Sequence, residues 1–506
     1  MTDSTWTNGG GDGKVSTVAN WSNGIGAGYN LIFDATSTAS CSFDYTATLG
    51  NIFVNAGYTG TITQTANISA HDITIAGAAT ITFSTSYWVF LSGSYLKSAG
   101  TLTGDKLQLE MTGDGETISS NNYSAQSWNK LKISNNITLL SSIGVKTSLE
   151  VITGKVLTIN SGKVVDSPYQ LGGATPFSLI AGQINGLGEI DLYIYNYNKA
   201  LDLTNIHCGL QLYTDWSGGT TYKYILSADV PNLLFLKVNE RYGGSRTTTL
   251  DTAGYDVVCA TTTIYALSTL TDSVGGTIIT GNVVVNGATA ILSQGANCLM
   301  VINGNLTLTL GTVNQLGKLV LIGANSQGGG TFNSNKDLWI LGSYAKTSGT
   351  FNFTGTAVQL VYGMPNITCA ITGGSLVCFE NSSVLPASIT FTSGSACARD
   401  RRSQKAWAYG TIAHSDNGLK PETGSIFEVV SGTYTVDSSF RCRKLIIDSG
   451  ATLVQAADKR MCVVESIVNE GTFTKNTLKE IVTGKNAMYL NTVKNQALNP
   501  PLIVGG

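Results

Sequence analysis

The chain has 506 residues, a formal net charge of −2 and 12% charged residues, about half of the usual quarter. Because nucleic-acid binding needs concentrated positive charge, this near-neutral balance argues against DNA or RNA as a partner. Gly is abundant at 58 residues, Pro is scarce at 8, and 42% of the residues are hydrophobic. This composition excludes a disordered chain and provides enough apolar residues for a long core.

The nine cysteines are irregularly spaced and contain no Cys-x-x-Cys pair. This spacing does not support a zinc ribbon, and we expect buried free thiols of a protein that folds in a reducing compartment. No apolar run approaches the roughly 18–20 residues of a membrane helix. The first residues also lack the basic and apolar regions of a signal peptide. We expect no membrane insertion, no metal and no cofactor.

Period-two alternation dominates the sequence from residue 29 to about residue 475. The alternating runs are short, roughly 3–6 residues, and most end in Gly, Asn or Ser-Gly, which is typical of strands in an all-β protein. Similar phrases recur at 157–163, 301–308 and 445–453, which indicates a loose repeat of about 20–25 residues. The prediction is an all-β, right-handed parallel β-helix, or β-solenoid, with loop excursions. Tandem β-sandwich modules remain the alternative.

Changes in alternation and composition along the sequence divide the chain into seven segments. They are an N-terminal capping coil (1–28), a β-solenoid (29–165), a Tyr-rich excursion or solenoid (166–250), a β-solenoid (251–395), a basic-aromatic insertion (396–423), a β-solenoid (424–475) and a C-terminal cap or anchoring tail (476–506). Within the tail, short helices are expected at 479–482 and 488–493.

The opening stretch carries a distinctive motif. Trp6 is followed by a glycine-rich run at 9–13 and then by Asn20, Trp21 and Gly24. This pattern resembles the first coil of the large β-helical surface proteins of bacteria and their phages. We interpret Asp12, inside the glycine-rich run, as a turn residue rather than a calcium ligand.

The resemblance implies a structural or adhesive protein. Since no export signal precedes the motif, we expect a fibre, spike or decoration protein of a tailed phage, assembled in the host cytoplasm into the virion. Its partners would be other virion proteins and a host-surface glycan, and it would self-associate, as a trimer by analogy. A bacterial surface adhesin or surface-layer protein, located at the cell surface, is an alternative.

A Tyr-rich stretch is the best candidate for a glycan-binding surface. Alternation places Ile190, Leu192 and Ile194 on one side of a strand and Asp191 with tyrosines on the other. Sugar rings have apolar faces that stack on aromatic rings. The predicted glycan-binding residues are Tyr193, Tyr195, Tyr197, Tyr213 and Trp216. A second small core or a subunit contact is the alternative.

Glycan hydrolysis would need two carboxylates close together. We expect a protein that is not an enzyme, and a polysaccharide depolymerase is the alternative. In that alternative the catalytic candidates are Glu189, Asp191, Asp202 and Asp215.

A basic-aromatic cluster interrupts the alternation near residue 400. Its functional interpretation is docking to a partner protein, and a solvated loop is the alternative. The predicted docking residues are Arg399, Arg401, Arg402, Lys405 and Trp407.

Overall fold

The computed structural model describes residues 1–103, 106–121, 127–169, 181–194, 199–214, 222–240, 247–356, 359–363, 368–372, 376–380, 389–391, 395–400, 405–413, 425–438, 440–457, 459, 461–474, 481–483 and 488–491. The protein is all-β and 1% helical, with parallel sheets stacked as a β-solenoid of about 17 turns. The predicted solenoid is therefore confirmed. Parallel pairing between successive turns excludes β-sandwich modules, whose sheets are antiparallel.

The chain forms two compact units, residues 1–251 with 255–261 and residues 252–254 with 262–506. A 3₁₀ turn in the first unit spans Val18–Asn20. The strands within the first unit are β1 (Asp3–Thr5), β2 (Asn30–Phe33), β3 (Cys41–Phe43), β4 (Ile52–Val54), β5 (Thr61–Gln64), β6 (Ile68–Ala70), β7 (Ile73–Ile75), β8 (Thr80–Thr82), β9 (Val89–Leu91), β10 (Tyr95–Lys97), β11 (Thr101–Thr103), β12 (Gln108–Met111), β13 (Glu116–Ser120), β14 (Ser127–Ile133), β15 (Ile137–Leu139), β16 (Ile143–Val151), β17 (Val156–Ile159), β18 (Val164–Tyr169), β19 (Gln183–Ile194), β20 (Lys199–Leu201), β21 (Ile206–Thr214), β22 (Tyr222–Leu226), β23 (Val230–Leu233), β24 (Phe235–Glu240) and β25 (Thr248–Asp251).

The next strand, β26 (Val257–Tyr265), has residues in both units. The strands within the second unit are β27 (Ser268–Thr271), β28 (Thr277–Asn286), β29 (Ile291–Ser293), β30 (Leu299–Ile302), β31 (Leu306–Leu308), β32 (Thr312–Gln315), β33 (Lys318–Leu321), β34 (Ala324–Gln327), β35 (Thr331–Ser334), β36 (Leu338–Ile340), β37 (Ser343–Lys346), β38 (Thr350–Phe353), β39 (Gln359–Tyr362), β40 (Cys369–Ile371), β41 (Leu376–Glu380), β42 (Ile389–Phe391), β43 (Ser395–Asp400), β44 (Lys405–Tyr409), β45 (Ile412–Ala413), β46 (Ile426–Val429), β47 (Thr433–Val436), β48 (Phe440–Ile447), β49 (Thr452–Gln455), β50 (Met461–Asn469), β51 (Thr472–Thr474), β52 (Ile481–Thr483) and β53 (Met488–Asn491).

Each turn of the solenoid places apolar side chains directly over those of the turn before. In the first unit, Leu31 of β2 pairs with Ile52 of β4, which pairs with Ile73 of β7. In the second unit, Phe332 of β35 pairs with Phe351 of β38, and their rings stack with centroids 4.6 Å apart. Burying each such side chain contributes about 1.5–3 kcal/mol. The core therefore runs along the inside of the stacked turns of each unit.

Tryptophans from the opening motif close the first turn. Trp6 and Trp21 form an antiparallel bridge, and their ring centroids lie 5.2 Å apart. Both rings contact Phe33, and the Trp21 indole N–H donates to the carbonyl oxygen of Val15 at 2.8 Å. Trp6 is 0% exposed. The tryptophans of the motif thus pack inside the first turn of the core.

Asn20 and Asp12 stabilise the loop between these two tryptophans. The buried Asn20 amide donates to Asp12 Oδ1 at 2.6 Å and accepts from the backbone N–H of Gly10 at 2.7 Å. The hydroxyl of Thr17 donates to Asp12, and this bond, with those from the Lys14 backbone and Asn20, lowers the pKa of Asp12 to about 2. Asp12 therefore acts as a turn residue, as its position among glycines indicates.

The Tyr-rich segment, given as an excursion or solenoid, and the described part of the tail both contain strands that pair with neighbouring turns. Between residues 166 and 250, strands β19, β21 and β24 pair in parallel. The helices expected in the tail are wrong in the described part, since Ile481–Thr483 and Met488–Asn491 are strands that pair with β50. Ladder hydrogen bonds to a preceding turn outweigh the local helix preference there. Near residue 400, the described strands β43 and β44 pair antiparallel, whereas the other strand pairs whose register the structure describes are parallel.

Candidate functional site

Strands β19, β21 and β24 carry the predicted acidic and aromatic residues side by side. Ile190 and Leu192 are both 0% exposed, which confirms the predicted inward side of this strand. On the opposite side of the sheet, Asp191, Gln211 and Lys237 stand in register on the three strands. We call the outward residues Glu189, Asp191, Gln211, Tyr213 and Lys237 the polar ladder.

Two pairs of side chains in the polar ladder are bonded to each other, Lys237 with Glu189 and Tyr213 with Asp191. Lys237 Nζ lies 2.9 and 3.2 Å from the two carboxylate oxygens of Glu189. The Tyr213 hydroxyl donates to Asp191 Oδ2 at 3.2 Å, and Asp191 and Tyr213 are only 7% and 9% exposed. At these two positions the structure favours the second small core over an exposed sugar-binding strip. The ladder orders Glu189, Asp191 and Tyr213 through contacts within the protein.

A glycine makes room for an aromatic ring on the same surface. Gly209 pairs with Glu189 on one side and with Phe235 on the other. A Cβ at Gly209 would overlap the ring of Phe235, so the ring folds back over this position. Lys237 Nζ then lies 4.4 Å from the Phe235 ring centroid, within cation–π range. The ring thus packs against the ion pair, which stays partly exposed.

The remaining residues of the predicted glycan and catalytic sites are only partly described. Asp202 is exposed and accepts hydrogen bonds from the backbone N–H and hydroxyl of Thr204, at 3.0 and 2.7 Å, as a turn residue does. Tyr193 belongs to β19, but its side chain lies outside the described residues. The same applies to the whole of four further residues, Tyr195, Tyr197, Asp215 and Trp216.

The predicted docking cluster lies at the antiparallel hairpin. Arg399 of β43 pairs with Ala406 of β44, and Lys405 pairs with Asp400. Trp407 is partly exposed and stands between Ala398 and Glu428. Arg401 and Arg402 lie outside the described residues, as do the side chains of Arg399 and Lys405. Docking to a partner protein stays a prediction.

An open aromatic surface lies elsewhere in the first unit, among residues that the sequence pattern does not mark as a site. Trp88 and Phe90 are partly exposed, with ring centroids 6.3 Å apart and ring planes 25° apart. Phe90 stands in register with Glu110 of β12, which stands in register with Lys132 of β14. We call Trp88, Phe90, Glu110, Lys130 and Lys132 the aromatic patch.

Charged groups border the rings of the aromatic patch. Lys130 Nζ lies 5.8 Å from the Trp88 ring centroid. Lys132 Nζ lies 3.1 Å from Glu110 Oε1, and the Ser134 hydroxyl donates to the same oxygen at 2.7 Å. The patch thus presents two rings beside one acceptor group and two cationic donors. Stacking, accepting and donating are the three contacts that a polyhydroxylated ligand uses.

A signal for this patch exists in the sequence. The run from Tyr87 to Leu91 is continuously apolar, and such runs are typical of fully buried strands. Val89 and Leu91 are 0% exposed, so the residues between and beside them face outward. Strict alternation within the run therefore separates the outward rings of Trp88 and Phe90 from the core.

The second unit has a related but separate aromatic pair. Trp339 and Tyr362 stack with ring centroids 5.7 Å apart, and they are paired in register on β36 and β39. Lys318 Nζ lies 4.4 Å from the Trp339 ring centroid. This pair also has a lysine over a tryptophan ring, although its two rings come from neighbouring strands, and it provides a comparison for the aromatic patch.

One carboxylate of the second unit has a purely structural arrangement. Asp272 is 2% exposed and accepts hydrogen bonds from the backbone N–H groups of Gly254, Val274 and Gly275 at 3.0 Å and of Gly276 at 2.7 Å. Burial raises the pKa of Asp272, but these backbone hydrogen bonds outweigh it, so the net pKa lies below the ordinary 3.8.

The described thiols are free, and all but one are buried, as predicted. Cys462 is the one with intermediate exposure. Burial raises the pKa of Cys41, Cys208 and Cys369 to about 12. Because the thiolate is the reactive form, these cysteines behave as small apolar residues.

Comparisons with known proteins give no relative. Protein-family models, curated proteins and solved structures all lack a significant match to the chain. Among the residues that the structure describes, no three or more His, Cys, Asp or Glu side chains are grouped so that they could hold a metal ion. Within the same described ranges, no helix has the length and apolar character to span a membrane.

Proposed function

We propose that the chain is a structural and adhesive component of a tailed-phage virion, a fibre, spike or decoration protein, that contacts a host-surface glycan through the aromatic patch. The observation that carries this proposal is the open pair of rings, Trp88 and Phe90, beside Glu110 and two lysines. The apolar face of a sugar ring packs on an aromatic ring, and its hydroxyls bond to carboxylates and ammonium groups.

The scaffold supports an adhesive role because it holds the patch rigidly. Strand β9, which contains Phe90 and directly follows Trp88, pairs in parallel with β6 on one side and β12 on the other. The main chain below the patch is therefore fixed by ladder hydrogen bonds before any ligand arrives. A preordered site loses less conformational entropy on binding, which raises affinity for a given set of contacts.

The resemblance of the opening motif supports the virion part of the proposal. Mass spectrometry of gradient-purified phage particles should detect this chain together with capsid and tail proteins. Its detection on bacterial envelopes free of particles would contradict the virion assignment and favour the adhesin alternative.

Competition for host attachment tests the adhesive part. Purified chain should reduce adsorption of the particles to host cells, and the Trp88→Ala/Phe90→Ala variant should not. Trp339→Ala is the matched control, because Trp339 also has a lysine above its ring but lies in the other unit. Equal competition by wild type and the double variant would contradict the assignment of the patch. Reducing ends released from host polysaccharide by the purified chain would favour the depolymerase alternative.

A further inference from the structure

An apolar cavity of about 30 Å³ lies among the stacked turns of the first unit. It is lined by isoleucine, valine and phenylalanine side chains alone, and each of these residues is buried. The isoleucines and the valine belong to strands β4 to β8, and Phe43 and Phe83 complete the lining. The aromatic patch faces outward and does not include any of these residues, so the cavity is separate from the proposed glycan contact.

The cavity lies between two aromatic rings of the core. Val54 stands in register with Phe33 of the preceding turn, and Ile73 stands in register with Tyr95 of the following turn. Phe33 and Tyr95 are both 0% exposed, so their rings are packed inside the core. A ring occupies more of a core than a branched aliphatic side chain does. The core is therefore filled less completely between the two rings, and space remains there.

The lining does not close this space by itself. Ile52 pairs with Ile73 and Ile62 pairs with Ile81, each on neighbouring parallel strands without a register shift. Ladder hydrogen bonds fix the main chain, and β-branched side chains have few χ1 rotamers. The atoms around the space therefore lack van der Waals partners on one side. A guest of the right size and polarity would supply these missing contacts.

The lining favours an apolar guest over water. No polar atom of the lining residues faces the cavity, whereas a water molecule inside a protein needs two to four polar partners. The volume exceeds the roughly 10–15 Å³ that a single water occupies, so size does not exclude a guest. A sugar or an acyl chain is too large for it. Apolar cavities in proteins stay dry and take up small apolar molecules such as xenon.

We propose that this cavity binds one small apolar guest, of the chemical class of xenon, dioxygen and methane. The guest makes dispersion contacts with several methyl groups at once and needs neither a hydrogen bond nor a charge. Because the lining residues are buried, it enters through a transient local opening of the stacked turns. This binding is independent of the proposed attachment function and goes beyond it.

Methyl NMR under xenon pressure tests the proposal on the full chain, with the isoleucine δ1 methyl groups labelled. The lining isoleucines are themselves the probes, and their signals should shift with rising xenon pressure until the shift saturates. The signals to follow are those of Ile52, Ile62, Ile73 and Ile81. Ile447 is buried in the second unit and is the internal control, so its signal should not respond.

Filling the cavity should remove the response. Val54→Ile adds one methylene group to the lining, and we expect it to abolish the saturable xenon shifts. The matched control is Val301→Ile, which makes the same substitution at a partly exposed position of the second unit. The control should respond to xenon like the wild type. Far-UV circular dichroism establishes whether each variant is folded.

Four results would overturn the proposal. They are the absence of saturable shifts in the wild type, unchanged shifts in folded Val54→Ile, an equal loss in Val301→Ile, and water-to-methyl Overhauser contacts at the lining isoleucines. If Val54→Ile does not fold, Ile73→Val takes its place, because it enlarges the cavity. That variant should saturate at a lower xenon pressure than the wild type, and an unchanged or higher saturation pressure would contradict binding in this cavity.

Discussion

The polar ladder and the aromatic patch contain the same kinds of residue but differ in the access of their aromatic rings to water. Each has at least one aromatic ring, one carboxylate and one lysine on the outer side of parallel strands in the first unit. In the ladder, Asp191 and Tyr213 are buried and bonded to each other. In the patch, the rings of Trp88 and Phe90 remain partly exposed. Both surfaces contain a bonded lysine–glutamate pair, so the difference lies in the rings: a buried ring stabilises the fold, whereas an open ring can bind a ligand.

Truncation of the ladder's buried ring should give the largest effect. We expect Tyr213→Ala to lower the free energy of unfolding by about 3 kcal/mol, because it leaves a cavity and removes the hydrogen bond to Asp191. Tyr213→Phe should cost about 1 kcal/mol, since it removes the hydroxyl alone. Denaturant unfolding measures both. A Tyr213→Ala variant as stable as the wild type would show that the ladder is not a small core.

Asp272, whose carboxylate accepts four backbone hydrogen bonds, extends the comparison to the second unit. Asp272→Asn should cost about 2 kcal/mol at neutral pH, because the charge-assisted bonds to backbone N–H groups weaken. Since the pKa of Asp272 in the fold lies below 3.8, its contribution is complete above that pH and is lost as the pH falls through the lowered pKa. Unfolding curves of both proteins should therefore converge on acidification. A stability difference that grows in acid would contradict this account.

Truncation of the patch should affect stability much less than truncation of the ladder. Trp88→Ala/Phe90→Ala removes two partly exposed rings, so we expect a loss of about 1 kcal/mol in the free energy of unfolding. The same denaturant experiment measures it. A loss as large as that of Tyr213→Ala would mean that the rings are held in place for packing, and the contrast between the two surfaces would disappear.

Breaking the two ion pairs, Lys237–Glu189 in the ladder and Lys132–Glu110 in the patch, should change the free energy of unfolding least. Their exposures are nearly equal, at 29% and 16% for Lys237 and Glu189 and at 30% and 16% for Lys132 and Glu110. Lys237 contacts both oxygens of its partner and also the Phe235 ring. We expect Lys237→Met to cost about 1 kcal/mol and Lys132→Met about 0.5 kcal/mol, with both losses smaller at high salt. A reversed order would show that the ring adds nothing to the ladder.

Much of the fold follows from local patterns in the sequence. Alternation identifies the inward residues Ile190 and Leu192, and the spacing of the opening motif places Trp6 and Trp21 in contact within the first turn. Both features depend on neighbouring residues of one strand or turn, where a period of two is enough to assign sides. The prediction of helices in the tail is wrong in the described part, because pairing with an earlier turn overrides the local helix preference.

The site could not be predicted in the same way. Glu189 and Lys237 are separated by 48 residues and meet only because the intervening turns bring β19 and β24 to the same sheet. A loose repeat does not give that register in advance. Exposure is also a property of the assembled surface, so the sequence favoured the Tyr-rich strand while the open rings lie at Trp88 and Phe90.

Binding of host-surface polysaccharide to the immobilised chain tests the central claim most directly. Biolayer interferometry with extracted polysaccharide should give a dissociation constant at least about 10-fold weaker for Trp88→Ala/Phe90→Ala than for the wild type, with Trp339→Ala unchanged. Wild-type affinity in the folded double variant, or an equal loss in Trp339→Ala, would contradict the assignment of the glycan contact to the aromatic patch.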